Sequence, residues 1–310
     1  MDAAQEDVAE AATSGWRREG ADGPMHYEVW KGNEVFCCGG RLMFGPNWKN
    51  LVVSVLLIVV PSAFFFGFVI PPLYRTYSVA FLAGGVALFA CSLFCLLRTA
   101  SMDPGIVPRK SRPDDAEGKI KHSKTVTVHG HAVVVRWNHT AHLYQPPRAH
   151  HCAVNDNCIE RFDHHCPWVG TTIGKRNYKW FLLFVWSTLA WCLYVVVCGG
   201  LSLKVAKDEL EEEGKRTSFD RVLAKQPAAF VLMVFCFLMV WFLGGLTLFH
   251  CFLVSTNQTT YEYIRRSSKE VNPYDRGFWR NWKEVVFTAA PPSKLHLRSR
   301  TSSSERAKAR

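Results

Sequence analysis

A short run of the sequence, Asp163-His164-His165-Cys166, brings together the groups that nucleophilic catalysis needs. A free thiol has a pKa of ~8.5, and a neighbouring imidazole raises the fraction present as the reactive thiolate. A carboxylate can in turn hold that imidazole in the useful tautomer. The same side chains are metal ligands, and neighbours in sequence can point apart. The four residues alone therefore leave both nucleophilic catalysis and metal binding open.

The segments that must position this run are apolar and long. Of the 310 residues, 48% are hydrophobic and 13% aromatic, while only 20% are charged. A bilayer is crossed by about 20 apolar residues in a helix, and charges inside such a span are costly. Four segments meet the length and contain no Asp, Glu, Lys or Arg: 51–70, 78–97, 180–203 and 228–254. This excludes a single soluble domain, and we expect Pro61 to kink the first span and Pro71-Pro72 to end it.

The spans divide the chain into membrane and aqueous parts. Lys and Arg residues near the span ends are more frequent on the side that holds the N-terminus, the central loop and the C-terminus, which predicts that these three are cytosolic. No charged segment followed by a short apolar stretch opens the chain, so no cleaved signal peptide is expected. The predicted parts are a partly disordered cytosolic segment (1–50), transmembrane helices 1 and 2 (51–97), a cytosolic domain (98–179), transmembrane helices 3 and 4 with a luminal loop at 204–227 (180–254), and a cytosolic C-terminal part (255–310).

The predicted fold class is an all-α membrane protein of four transmembrane helices, with a small cytosolic cysteine-rich domain of β-hairpins between helices 2 and 3. An 82-residue central segment is too long for a connector. Within it, β-branched residues flank Gly130, which predicts a hairpin turning there. Residues 1–24, which are acidic and rich in alanine, and a basic tail from Arg298 are predicted to be disordered.

Several motifs, in order, resemble the DHHC family of protein S-acyltransferases (palmitoyltransferases). The run 163–170 (Asp-His-His-Cys-Pro-Trp-Val-Gly), followed by Gly174-Lys175-Arg176-Asn177-Tyr178, is similar to the family signature. Asp103-Pro104-Gly105 resembles its DPG motif, and Thr259-Thr260-Tyr261-Glu262 its TTxE motif. Asn272-Pro273-Tyr274, with Asn281 downstream, resembles its C-terminal NPY-type motif. The resemblance covers roughly residues 35–290, and four spans around a cysteine-rich loop complete it.

The resemblance implies a role for individual residues. Cys166 would be the nucleophile that takes a fatty acyl group from acyl-CoA and passes it to a cysteine of a client protein. His164 would be the base and Asp163 the carboxylate that orients it. Thr260 would position Asp163, Trp168 would lie beside the acyl chain, and Asn281 would brace the cytoplasmic end of the bundle. Lys175, Arg176 and Arg265 are candidates for binding the CoA phosphates.

The resemblance also implies two zinc sites, each of three Cys and one His, and here the sequence departs from it. The first site would use Asn138, Ala141, His151 and Cys158, and the second Cys152, Asn155, His165 and Thr172. Four of the eight ligand positions are therefore replaced, although structural zinc requires four sulfur or nitrogen donors. Two interpretations remain: the loop is held by packing and hydrogen bonds without zinc, or His139 and His142 substitute at the first site.

The function predicted is an integral membrane S-acyltransferase, most simply for palmitoyl groups. Its partners would be fatty acyl-CoA, membrane-associated client proteins with cysteines, and the bilayer, with no nucleic acid. A catalytically inactive four-span adaptor of the same fold is the alternative. A transporter is disfavoured, because the spans offer no Asp, Glu, Lys or Arg for an ion path. The resemblance implies a location in the Golgi, the endoplasmic reticulum or related endomembranes.

Overall fold

The computed structural model describes residues 23–110, 121–265 and 271–301. Four of its helices are long and apolar enough to cross a membrane, and hairpins fill the region between the second and the third. The helices are α1 (Trp48–Phe64), α2 (Ile70–Thr76), α3 (Ala80–Ala100), α4 (Tyr178–Glu212), α5 (Phe219–Lys225), α6 (Pro227–Ser255), α7 (Thr260–Arg265) and α8 (Phe278–Trp282). The predicted fold class is confirmed.

The first span is longer than predicted, because Pro71-Pro72 does not end it. A π-helical turn, Phe65–Val69, joins α1 to α2, and the helix runs on to Thr76. Pro71 and Pro72 take the first positions of α2, where a missing backbone N–H costs no helical hydrogen bond. The π-helical turn before them is wider than an α-helical turn and changes the register of the helix at this point. Pro61 is also accommodated inside α1.

The third span also continues beyond its predicted end. Helix α4 extends to Glu212, so the first part of the predicted 204–227 loop is helical, and α5 occupies much of the rest. Two ion pairs at i,i+4 spacing, Lys204–Asp208 at 2.9 Å and Lys207–Glu211 at 3.2 Å, favour this polar extension.

Short antiparallel hairpins make up the domain between α3 and α4, and one further hairpin lies before α1. The strands are β1 (Val35–Cys37), β2 (Leu42–Phe44), β3 (Ser123–Val128), β4 (His131–Asn138), β5 (Leu143–Tyr144), β6 (His150–Cys152), β7 (Asn157–Ile159), β8 (His164–Cys166) and β9 (Thr171–Ile173). They form the sheets β1-β2, β3-β4-β5, β6-β7 and β8-β9. The hairpin predicted at Gly130 is confirmed: His129 and Gly130 both have positive φ (47° and 80°), as a tight two-residue turn requires.

The tail predicted to be disordered from Arg298 is partly ordered, and that prediction is wrong for residues 298–301. Arg300 pairs with Met25, and the N–H of His26 donates to the carbonyl of Ser299 at 3.0 Å. Leu297 packs against the core that contains Ile159. The two ends of the described chain therefore lie side by side. Most of the predicted N-terminal disorder (1–22) and the rest of the tail (302–310) lie outside the described residues.

One apolar core joins the helical bundle to the hairpin domain. Leu51 of α1, Leu182 of α4 and Val254 of α6 are buried in the same cluster as Cys166 of β8. A separate apolar cluster, with Phe65 and Trp191, fills the other end of the bundle. The β8-β9 hairpin is thus packed onto one end of the bundle, in a cluster to which all four spans contribute.

Candidate active site

The β8-β9 hairpin separates the two histidines of the His164-His165-Cys166 run. Side chains alternate between the two faces of a strand, so His164 and Cys166 share one face while His165 lies on the other. Gly170, with φ +80°, closes the hairpin, and a Cβ there would lie 2.8 Å from the carbonyl oxygen of Asn47. The strand therefore presents one imidazole with the thiol and turns the other imidazole away.

A chain of hydrogen bonds orients the first imidazole. The His164 Nδ1 lies 2.6 Å from Oδ2 of Asp163, a carboxylate that is only 2% exposed. Thr260, at the start of α7, donates its backbone N–H to Asp163 Oδ1 at 2.9 Å and its hydroxyl to Oδ2 at 2.8 Å. The carboxylate is thereby fixed from two directions, and the imidazole nitrogen Nε2 is left for the thiol side.

Electrostatic interactions favour the charged forms of both Asp163 and His164. Burial would lower the pKa of His164, but hydrogen bonds with Asp163 and then with Cys166 outweigh it and raise that pKa to about 10. For Asp163 burial acts in the opposite direction, yet the bond to His164 keeps its pKa below the ordinary value. The geometry therefore supports an imidazolium between a carboxylate and a sulfur.

Cys166 lies where the bundle meets the hairpin domain. It is 7% exposed and packs with Leu51, Phe181 and Val185 of the spans. Trp168, two residues on, is 54% exposed, and its carbonyl accepts a hydrogen bond from the Ser54 hydroxyl of α1 at 2.7 Å. A long apolar chain attached to the sulfur would meet apolar side chains of the spans at once.

The TTxE motif joins the site to the C-terminal part. Arg148 forms a two-pronged ion pair with Glu262, at 2.7 and 2.8 Å, and both side chains are largely buried. Glu262 also accepts the backbone N–H of Thr259 at 2.9 Å, which caps the start of α7. This pair holds α7 in the position from which Thr260 contacts Asp163.

Asn281 lies at the base of span four, at the position that the resemblance implies for a brace. It is fully buried, donates to the carbonyl of Ser255 at 2.8 Å and to Asp275 at 2.7 Å, and accepts the N–H of Arg276 at 3.0 Å. Ser255 is the last residue of α6. Asn281 therefore ties the C-terminal segment to the end of that helix.

The three candidate phosphate ligands have different surroundings. The guanidinium of Arg176 pairs with Asp103 of the DPG motif at 2.8 Å and also donates to the carbonyl of Pro291. Lys175 is 48% exposed and pairs with Glu160 at 3.3 Å. Arg265 is exposed on α7, beside the ring of Tyr261. Arg176 thus serves as a link between the DPG motif and the C-terminal segment.

The four positions of the second implied zinc site converge, but they bind one another. The hydroxyl of Thr172 lies 2.7 Å from Asn155 Oδ1 and 3.0 Å from Cys152 Sγ. Nδ1 of His165 lies 3.1 Å from both Asn155 and Thr172, and its Nε2 lies 2.9 Å from Oδ1 of Asn47. An amide and a hydroxyl replace two thiolates here, so the donor set does not fit structural zinc.

A buried carboxylate that sequence analysis missed completes this cluster. Glu34, 8% exposed, accepts hydrogen bonds from Asn155 at 2.9 Å, from Asn157 at 2.8 Å and from the indole of Trp30 at 2.6 Å. The segment before β1 is thereby fastened to the hairpin domain. The only signal in the sequence was the pair Asn155 and Asn157, two amides at or beside a replaced ligand position that would need a hydrogen-bond acceptor.

The first implied zinc site has become an apolar cluster. Ala141 and Cys158 pack with Val107, Leu143 and Ala149. Asn138 accepts the backbone N–H of Ala141 at 2.8 Å, as a turn residue does. These positions too lack the donors that zinc requires.

The substitution by His139 and His142 is not supported by their placement. His142 Nδ1 lies 3.2 Å from the carbonyl of Lys110, and the ring of His139 lies against those of Trp137 and His122. His151 lies 3.5 Å from Asp156, and its Nδ1 is buried without a partner among described residues. No group of three His, Cys, Asp or Glu side chains within the described ranges is arranged to hold a metal ion.

Comparison with known proteins finds one family match and several similar proteins that together cover most of the chain. Residues 135–267 match the DHHC palmitoyltransferase family. Probable protein S-acyltransferase 7 of Arabidopsis thaliana is 38% identical over 302 residues, which is 90% of this chain and 67% of the relative. Probable protein S-acyltransferase 3 is 40% identical over 88% of this chain and 70% of its own, and protein S-acyltransferase 8 is 39% identical over 88% and 72%, both from the same plant.

The relatives span all four membrane helices, and the family match includes the whole of the β8-β9 hairpin together with α7. Those are the elements that place Asp163, His164, Cys166 and Thr260 in contact. The chain belongs to the DHHC family of protein S-acyltransferases.

Proposed function

We propose that this protein transfers a long-chain fatty acyl group, most simply palmitoyl, from acyl-CoA through an acyl-Cys166 intermediate to cysteines of client proteins. The observation that supports it best is the position of Cys166. The thiol lies on the His164 face of β8 and also belongs to an apolar cluster with residues of all four spans. A nucleophile there can meet a reagent whose tail prefers the bilayer and whose head prefers water.

The first half-reaction uses the thiolate–imidazolium pair. The Cys166 sulfur attacks the carbonyl carbon of the acyl-CoA thioester, forming a new carbon–sulfur bond as the bond to CoA breaks. The proton on His164 passes to the departing CoA thiolate. Asp163, held by Thr260, stabilises the imidazolium while it carries that proton.

The second half-reaction reverses the proton movement. The client thiol gives its proton to His164 and attacks the carbonyl carbon of acyl-Cys166. The bond to Cys166 breaks, the acyl group leaves with the client, and the imidazolium–thiolate pair is restored. No metal-dependent step is needed in either half.

The donor and the location are proposals that rest on composition and placement. Lys175 is the candidate for a CoA phosphate, because its ammonium is exposed next to the DHHC hairpin. The basic residues near the span ends favour cytosolic termini and a cytosolic hairpin domain. The compartment, the Golgi, the endoplasmic reticulum or related endomembranes, is proposed from the family alone.

Acyl labelling of the purified protein tests the proposal against the inactive-adaptor alternative. Protein in detergent is mixed with a fluorescent palmitoyl-CoA analogue, with or without later hydroxylamine, which cleaves thioesters. We expect wild type to be labelled, hydroxylamine to remove the label, and Cys166→Ser to stay unlabelled. Cys158→Ser, which alters a buried thiol of the apolar cluster, is the matched control and should be labelled. Absence of label in a wild type that elutes as a folded monodisperse species would instead favour the adaptor.

A further inference from the structure

Strand β4 has an open backbone edge that faces a groove. The register pairs Val128 with His131 across the two-residue turn, so the residues that exchange hydrogen bonds with β3 are His131, Val133 and Val135. The N–H and C=O groups of Ala132 and Val134 point to the other side. The carbonyl of Arg136, next in that series, accepts the N–H of Gln145 at 2.9 Å, which confirms the direction.

The neighbouring strand stops too early to cover this edge. Strand β5 pairs only with Trp137 and Asn138, and then Pro146-Pro147 follows in the chain. Because proline has no N–H and a fixed φ, the pairing cannot continue along β4. Ala132 and Val134 keep unpaired backbone groups among the described residues, and Val134 is 62% exposed.

The groove beyond this edge has a volume of about 730 Å³. Its lining also includes Tyr261 and Arg265 of α7 and His150, whose ring lies 4.0 Å from that of Tyr261. Part of the lining therefore belongs to the helix whose first residue holds Asp163. A chain segment in the groove would therefore lie next to α7, whose Thr260 holds Asp163.

The charge of the described lining is positive. Glu262 is its only carboxylate, and it is occupied by Arg148 in the buried ion pair. Arg136 and Arg265 therefore have no neutralising partner within that lining, and both act electrostatically on His150. An occupant that satisfies the open edge and these guanidinium groups is an extended peptide with acidic side chains.

We propose that this groove binds an extended acidic segment of the client protein, as an added strand on β4. The inference rests on the proposed function, since it names how an acyl acceptor is held beside the site. Backbone hydrogen bonds to Ala132 and Val134 would hold the segment independently of its sequence. Arg136 and Arg265 would select the acidic side chains.

The test measures peptide binding to the full-length protein in lipid nanodiscs by fluorescence anisotropy. The probe is a labelled peptide with one cysteine followed by Glu-Val-Glu-Val-Glu. Comparison peptides replace glutamate by lysine, or carry N-methyl groups on alternate residues, which block pairing to a strand. We expect the acidic peptide to bind about tenfold or more tightly than either. Equal binding of the acidic and N-methylated peptides would overturn the proposal.

Two variants and their matched controls locate the site. Val134→Pro removes the N–H that points into the groove, whereas Thr127→Pro removes the corresponding outward N–H on the far edge of β3. Arg136→Glu reverses a charge in the groove, whereas Lys124→Glu reverses one on β3 outside the lining. We expect each groove variant to weaken binding about tenfold and each control to leave it unchanged. Equal effects of variant and control would contradict the assignment.

Two further readouts separate this inference from other outcomes. Acyl labelling of Cys166 is followed in the same preparations, so a protein that labels normally but does not bind the peptide contradicts the groove alone. Free CoA is added as a competitor. We expect CoA to leave the acidic peptide bound to wild type. Displacement of the peptide by CoA from wild type and from both controls, Lys124→Glu and Thr127→Pro, would assign the groove to the donor and overturn the proposal.

Discussion

Thr260 donates two hydrogen bonds to the carboxylate of Asp163, one from its backbone N–H at 2.9 Å and one from its hydroxyl at 2.8 Å. The two residues are 97 positions apart and belong to different parts of the chain, the hairpin domain and the segment that follows span four. Asp163 is buried, and its third hydrogen bond is with His164. The orientation of the His164 imidazole therefore depends on the C-terminal part.

Replacement of Thr260 by valine keeps the shape and the backbone donor but removes the hydroxyl. A hydrogen bond to a charged group contributes about 1.5–3 kcal/mol, so we expect the rate of acyl-Cys166 formation to fall roughly 10- to 100-fold. Thr260→Ser restores the hydroxyl and should recover most of the rate. Single-turnover labelling with the palmitoyl-CoA analogue measures both. Labelling of the valine variant at the wild-type rate would show that the hydroxyl does not support Asp163.

The Asp163–His164 pair predicts a specific pH dependence of stability. The pKa of His164 is raised to about 10, so its contribution is complete below its unfolded value of about 6.5 and is lost as the pH rises towards 10. The pKa of Asp163 is lowered, so its contribution is present above about 3.9 and is lost in more acidic solution. Both contributions are complete together between about pH 4 and 6.5.

Asp163→Asn removes the negative charge on which the raised pKa of His164 depends. We expect its melting temperature to lie furthest below that of wild type near pH 5–6, and the difference to shrink by pH 10. Thermal unfolding in detergent across this range measures it. Asp208→Asn, in an exposed pair with Lys204, is the control and should show a small difference at every pH. A constant gap between Asp163→Asn and wild type would contradict the shifted pKa of His164.

Restoring two ligands should create a zinc site in the hydrogen-bonded cluster. The double variant Asn155→Cys, Thr172→Cys would place three thiols and His165 at positions whose side chains already lie 2.7–3.9 Å apart. That set matches a closed Cys₃His site. We expect the double variant to bind about one zinc ion per chain, tightly enough to survive gel filtration. Metal analysis by mass spectrometry measures the zinc content.

Wild type is the reference for this experiment, and its acyl labelling should persist after treatment with a chelator. The single variants Asn155→Cys and Thr172→Cys each supply only three donors and should bind more weakly than the double variant. Stoichiometric zinc in wild type would show that the present residues hold the metal despite their hydrogen bonds. Loss of labelling on chelation would lead to the same conclusion.

The spans could be predicted because a charge-free run of twenty residues crosses a membrane whatever surrounds it. The different roles expected of His164 and His165 came from the family resemblance, and the strand places their side chains on opposite faces. The end of the first span was not predicted, because the cost of Pro71-Pro72 depends on the π-helical turn before it. That turn has no recognised signal in the sequence.

Contacts between segments that are far apart in the sequence could not be predicted either. Arg176 pairs with Asp103, more than 70 residues earlier, a contact that the sequence did not indicate; its role as a phosphate ligand stays a prediction. The contacts of Glu34 were missed for the same reason: Glu34 precedes β1 and is far in sequence from Asn155 and Asn157, the two asparagines that it joins. A sequence shows the charges and amides that need partners, and only the fold shows which of them meet.

The buried carboxylate of Glu34 gives the last prediction. Its replacement by alanine leaves the amides of Asn155 and Asn157 without their acceptor and frees the indole of Trp30. Unsatisfied buried polar groups cost about 1–3 kcal/mol each, so we expect the melting temperature to fall by about 5 °C or more. Glu211→Ala, which breaks an exposed pair with Lys207, should change it by about 1 °C. If the two variants melt together, the Glu34 cluster does not stabilise the hairpin domain, and zinc or packing elsewhere must do so.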